Sequence, residues 1–160
     1  MTWTVTDSPV GALLLREHDG ALCAIAFEPY EVPPASERDD ASPVLVETAR
    51  QLAEYFAGAR RDFDLPLAPA GTDFQQRVWA ELVAVPWGET ASYGEIAVRL
   101  GMTPAASRAV GLANGRNPIP VVVPCHRVIG ANGTLTGYAG GLARKQVLLD
   151  LERDVTDALF

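Results

Sequence analysis

Cys125, His126 and Arg127 stand side by side after the apolar run Pro118-Ile119-Pro120-Val121-Val122-Val123-Pro124. A thiol becomes a nucleophile only as its thiolate, and the thiolate needs nearby positive charge or a base. Both kinds of helper are sequence neighbours here. His126 cannot take the proton directly from an extended chain, because adjacent side chains then point to opposite faces. Either the backbone turns sharply at this point or a water molecule relays the proton. Pro124 fixes its own φ and favours an extended residue before it, which suits the relay. A histidine in that role needs a carboxylate to orient it and balance its cation, and spacing alone does not choose among the many carboxylates.

The charge is unevenly spread. The chain of 160 residues has a formal charge of −7, and 48% of it is hydrophobic, enough for one core or two small units. Residues 1–71 hold 5 arginines against 12 carboxylates, and residues 150–160 hold 1 against 4. Residues 72–149, which carry Cys125, hold 7 basic against 4 acidic side chains. A local basic patch, not the total, decides whether a polyanion docks. No stretch approaches the roughly 20 apolar residues of a membrane span, and Met1-Thr2-Trp3-Thr4-Val5 lacks the pattern of a secretion signal. The two cysteines, Cys23 and Cys125, make no disulfide framework and suit a reducing cytoplasm.

The elements that must hold Cys125 follow from turn and cap chemistry. Asp19-Gly20 between Leu13-Leu14-Leu15 and residues 21–27 predicts a hairpin, with Cys23, Ile25 and Phe27 on one core face. Residues 29–43 read as a loop, and Leu45, Ala49, Leu52 and Phe56 as a helix stripe. A further short strand is expected over 63–67, and Ala68-Pro69-Ala70-Gly71 as the joint between domains 1–71 and 72–160. Thr72 and Gln75 form a capping box for a helix buried through Phe74, Val78 and Leu82. Ser92 caps a short helix closed by Gly101, and a second runs over about 104–113; together they describe a helix-turn-helix. That second helix is almost bald: Ala105, Ala106, Ser107, Ala109, Gly111 and Ala113 surround Arg108. It suits either tight packing or close approach to a backbone. Residues 128–130 and 135–137 are expected to pair as a hairpin, followed by the Gly-rich segment Tyr138-Ala139-Gly140-Gly141 and a last helix over about 142–153. The fold class is α/β (α+β): a small N-terminal sheet-and-helix domain, then a mostly helical domain with the helix-turn-helix.

Asn117-Pro118-Ile119-Pro120 followed by Pro124-Cys125-His126-Arg127-Val128 resembles the O6-alkylguanine-DNA alkyltransferase family, the methylated-DNA–protein-cysteine methyltransferases. Residues 88–93, 107–111, 137–141 and 148–152 extend the likeness, which covers about 72–153. The resemblance implies direct DNA repair: an alkyl group moves from O6 of guanine, and from O4 of thymine, in duplex DNA to Cys125, once per molecule and without cofactor or metal. It implies that His126 draws the thiol proton through a water, that Glu152 orients His126, and that Tyr93 hydrogen-bonds the guanine ring. It further implies that Arg108 fills the gap left by a flipped base, with Ala106, Ser107, Ala109, Gly111, Asn117 and Arg127 on the DNA side. Val128, Tyr138, Ala139, Gly140 and Lys145 would line the substrate pocket. The expected partner is double-stranded DNA, with no membrane, for a cytoplasmic chain that is monomeric in solution and free to cluster on DNA. Ala139 stands where some relatives have a serine, which leaves only its N–H for the lesion oxygen. The zinc site of some relatives is not expected, since Cys23, Cys125, His18 and His126 are the only Cys and His residues. The alternative is a non-catalytic alkyltransferase-like lesion-binding protein; those relatives replace the cysteine that Cys125 supplies here.

Overall fold

A computed structural model describes residues 1–133 and 135–157. The chain divides into two compact units, Met1–Ala70 and Gly71–Phe160.

The first unit is an antiparallel sheet of β1 (Thr2–Thr6), β2 (Leu13–His18) and β3 (Ala21–Ala26), in that order. The β2–β3 turn is built as the sequence predicts, with Asp19 (φ 51°) and Gly20 (φ 80°) both left-handed. β1 was not among the expected strands. Helix α1 (Pro43–Phe56) covers the sheet, but its buried stripe is Val44, Leu45, Thr48, Gln51, Leu52 and Tyr55, rotated from the expected one. Cys23 is not a core residue. The β2–β3 register shifts between Arg16 and Glu17: Arg16 pairs with Ala24 and Glu17 with Leu22, so Cys23 is the extra residue of a bulge. The alternation breaks there, Leu22 and Ile25 are buried, and Cys23 is left partly exposed. The expected strand over 63–67 is reduced to one bridge, Leu22 to Leu67, flanked by hydrogen bonds from Leu22 N to Pro66 O and from Ala68 N to Leu22 O.

The second unit begins with α2 (Asp73–Val83), whose N-terminus carries the capping box of Thr72 and Gln75. Val78 and Leu82 are fully buried as expected, but Phe74 is only half-buried, and the third buried side chain is Trp79, whose indole N–H donates to Ala113 O at 2.9 Å. The short strand β4 (Ala91–Ser92) leads directly into α3 (Tyr93–Arg99), capped by Ser92 with Glu95 completing a second capping box. Gly101 (φ 79°) closes α3. A 3-10 turn over Pro104–Ala106 then leads into α4 (Ser107–Gly115). α3 and α4 are the expected helix-turn-helix, with α4 reaching two residues further than the sequence suggests. β5 (Val128–Ile129) follows the Cys-His-Arg segment, and α5 (Leu142–Asp157) ends the described chain.

The hairpin expected over 128–137 does not form among the described residues. β5 pairs in parallel with β4, Ala91 opposite Val128 and Ser92 opposite Ile129. The turn at Gly130–Gly133 is present, but the backbone oxygen of Thr136 is engaged by the Lys145 ammonium rather than by a strand. This pairing decides the site: it sets Tyr93, which follows β4, beside the segment that follows Cys125.

Candidate active site

Cys125 is delivered by a tightly tied approach. The Asn117 amide is used at both ends, donating to Val123 O at 2.8 Å and accepting from Ile119 N at 3.0 Å. Val123 N bonds Ile119 O, Cys125 N bonds Val123 O and Arg127 N bonds Pro124 O. Between them Val121 is left-handed (φ 72°), which a β-branched side chain adopts only under constraint, at a cost of about 1–3 kcal/mol. Val121 is 1% exposed, so the surrounding core holds it there. The backbone at Cys125–Arg127 is a 3-10 turn, not the extended chain that the sequence suggested; the turn by itself brings no hydrogen bond between the Cys125 thiol and His126. The Asn114 amide, at the end of α4, donates to Cys125 O at 3.4 Å.

His126, Arg127 and Glu152 form a buried ionic cluster. His126 Nε2 lies 2.7 Å from Glu152 Oε2. Arg127 grips the same carboxylate with two donors, Nε to Oε1 at 2.9 Å and Nη2 to Oε2 at 3.0 Å, and its Nη1 donates to Val85 O at 2.8 Å. Burial opposes the charge on Glu152, but the hydrogen bonds and charges of His126 and Arg127 outweigh it and bring the carboxyl down to about 2. Burial pushes His126 below its usual range, and the cations Arg127 and Lys145 push the same way against the Glu152 bond and charge. An ionised carboxylate accepts, so Nε2 carries the ring proton and Nδ1 keeps its lone pair. Nδ1 is buried and has no hydrogen-bond partner among the described residues.

Cys125, next to His126 in this cluster, is a buried residue, 4% exposed. Burial pushes its thiol up to about 11, against hydrogen bonds from Asn117 and Tyr138 and the Lys145 charge. Lys145 is fully buried, with its ammonium on Val128 O at 2.6 Å and Thr136 O at 2.9 Å. Burial lowers its pKa, while negative charge on Cys125 would raise it.

The other sequence candidates fall into three groups. Tyr93, half-buried at the first turn of α3, has its hydroxyl bonded by Thr136 Oγ1 at 2.9 Å. Gly111 lies against it: a Cβ there would sit 3.7 Å from the Tyr93 ring. Arg108 and Ala109 are exposed on α4, with Ala106 and Ser107 partly covered and the Ser107 hydroxyl turned back on Pro104 O. Tyr138 and Gly140 are half-buried and Ala139 is exposed. Two expectations for the DNA side need correction. Arg127 is 5% exposed and committed to Glu152 and Val85, and Asn117 is 8% exposed and committed to the cysteine approach; neither is presented at the surface. Sequence reasoning missed Arg127's grip on Glu152 and the part of Thr136. An arginine inside the apolar run 118–128 was a signal for the first; nothing in the sequence marked the second. No group of three or more potential metal-ligating side chains occurs among the described residues.

A buried thiol next to a carboxylate-held histidine, in the same unit as a helix-turn-helix, suits a DNA-binding protein that uses a cysteine. Comparison with known proteins agrees. Residues 73–154 match the family model of the DNA-binding domain of 6-O-methylguanine DNA methyltransferase, and residues 1–69 that of its ribonuclease-like domain. The methylated-DNA–protein-cysteine methyltransferase of Methanosarcina acetivorans is 50% identical over 156 residues, covering 95% of this chain and 98% of its own. That of Mycobacterium tuberculosis is 51% identical over 148 residues, covering 92% and 89%. The crystal structure of the M. tuberculosis protein OGT in complex with DNA superposes with a TM-score of 0.89 at 48% identity, covering 96% of this chain and 94% of that one. The chain belongs to the methylated-DNA–protein-cysteine methyltransferase family. It is a DNA-repair methyltransferase, and the non-catalytic alternative is not favoured.

Proposed function

We propose that this chain takes the alkyl group from O6 of guanine, or O4 of thymine, in duplex DNA onto Cys125 Sγ, after the damaged nucleotide has been flipped out of the stack. The sulfur attacks the alkyl carbon, the S–C bond forms and the O6–C bond breaks. The thiol proton passes through one water molecule to His126 Nδ1, whose cation Glu152 balances. Guanine is expelled from the alkyl carbon as its anion, stabilised by a hydrogen bond from the Tyr93 hydroxyl to its ring; it takes a proton from water and remains in the DNA as restored guanine, and His126 returns its proton to solvent. The thioether is stable, so each chain acts once, and no cofactor is required. Val128 O and the backbone of residues 138–140 form the pocket wall that reads the base. Arg108, exposed on α4, fills the gap left in the duplex.

In this reading residues 72–160 carry both DNA contact and chemistry, residues 1–71 support them, and the chain works as a cytoplasmic monomer on DNA. The observation that carries it is the buried carboxylate of Glu152, held by Arg127 and turned on His126 beside Cys125. That arrangement fixes the ring proton on Nε2 and leaves Nδ1 as the free basic nitrogen, while burial favours the neutral ring.

The test is intact-protein mass after incubation with a duplex carrying one O6-methylguanine. The expected result is a single gain of one methylene's mass, mapped to Cys125 and absent in Cys125→Ala. Tight lesion binding without any mass change would instead make the protein a sensor.

A further inference from the structure

Thr136 lies in the loop after β5 and belongs to no motif, yet it joins two residues of the site. Its backbone oxygen accepts from the fully buried Lys145 ammonium at 2.9 Å, and its hydroxyl donates to the Tyr93 hydroxyl at 2.9 Å. The same ammonium holds Val128 O at 2.6 Å, three residues beyond the cysteine. Lys145 takes part in no ion pair among the described residues; its hydrogen bonds there are to these two carbonyls. A buried ammonium held only by carbonyls fixes them strongly, because releasing either would leave a cation underbonded. The position of residue 136 is therefore set from the interior, although its side chain is exposed.

A phenol has one proton to donate. When the Thr136 hydroxyl donates to the Tyr93 oxygen, the Tyr93 proton has to point elsewhere. Lys145 thus fixes the Thr136 backbone, the Thr136 hydroxyl occupies the Tyr93 oxygen, and the Tyr93 proton is left for an acceptor on the substrate. We propose that Thr136 is a positioning residue for the alkyl transfer, fixing the Tyr93 hydroxyl so that its proton faces the departing guanine. This rests on the function proposed above.

The experiment uses the full chain and a duplex with one O6-methylguanine, and measures single-turnover rate constants at saturating protein together with lesion-duplex affinity. Thr136→Val keeps the shape and removes the hydroxyl. It is expected to slow transfer about tenfold, the worth of one well-placed hydrogen bond in a transition state, with affinity unchanged within about twofold. Thr136→Ser restores the hydroxyl and is expected to restore the rate. In a Tyr93→Phe background, Thr136→Val should add no further loss, whereas a merely structural role would add its own. A wild-type rate in Thr136→Val, failure of the serine variant to recover, or additive losses in the double variant would each overturn the role of Thr136. Absence of methyl transfer in the unmodified protein would overturn the function itself, and this inference with it.

Discussion

Glu152 is the side chain on which the site's electrostatics turn, since one carboxylate serves both His126 and Arg127 in a buried setting. Removing one member of such a cluster leaves its partners charged or donor-rich without an acceptor. Glu152→Gln is expected to lower unfolding stability by about 3–5 kcal/mol, read from urea transitions. The pH dependence follows the same groups. His126 lies below its ordinary 6.5 in the folded state, so the unfolded chain binds its proton first, and the stability present above pH 6.5 diminishes as pH falls. Glu152 lies below its ordinary 4.5, so its contribution is present above 4.5 and is lost as pH falls through about 2. Unfolding free energies measured across this range should fall in both windows, and Glu152→Gln should flatten the lower one. For Cys125, pushed up to about 11, alkylation by iodoacetamide in the DNA-free protein should be slow at neutral pH and rise about tenfold per pH unit toward 11, as mapped by peptide mass. The Cys-His neighbours were legible as chemistry from residue types alone. The choice of Glu152 came from family likeness, and the Arg127 clamp came from neither, because a partner 25 residues away is set by how α5 packs.

The short elements of the second unit place these residues through their ends. Ser92 and Thr72 each begin a helix with a complete capping box. Losing either hydroxyl to alanine is expected to cost about 1 kcal/mol of stability. Ser92 also sits on β4 and immediately precedes Tyr93, so Ser92→Ala should slow transfer where Thr72→Ala, of equal stability cost, leaves it near normal; denaturant curves beside single-turnover rates separate the two. Caps were readable because they are local hydrogen-bond chemistry within four residues. The β4–β5 pairing was not, since it joins Ala91 to Val128 across the helix-turn-helix, and the segment after β5 carries turn residues that read equally well as a hairpin. The displaced Cys23 has the same origin: a two-residue alternation rule fails at a bulge that only the neighbouring strand reveals.

At the scale of the molecule, charge is sorted along the chain. Residues 72–149 carry 7 basic side chains against 4 acidic ones, while residues 1–71 carry 5 against 12. Binding to duplex DNA should therefore weaken steeply with added salt despite the chain's negative total. Arg108, exposed with Leu112 on a helix whose other residues are mostly small, should matter only when a base must leave the stack. Arg108→Ala is expected to slow repair of a duplex about tenfold or more while leaving reaction with free O6-alkylguanine base nearly unchanged; equal losses on both would contradict the base-flipping role. On the mechanism proposed above each molecule reacts once, which adds a further requirement, shelf life. Cells contain peroxides, quinones and other soft electrophiles, and any of them would permanently retire an open thiolate. With Cys125 buried and its thiol pushed up to about 11, it is expected to be a poor target for all of these in the idle protein. The burial expected to slow iodoacetamide would also keep the repair stock intact until a damaged base arrives.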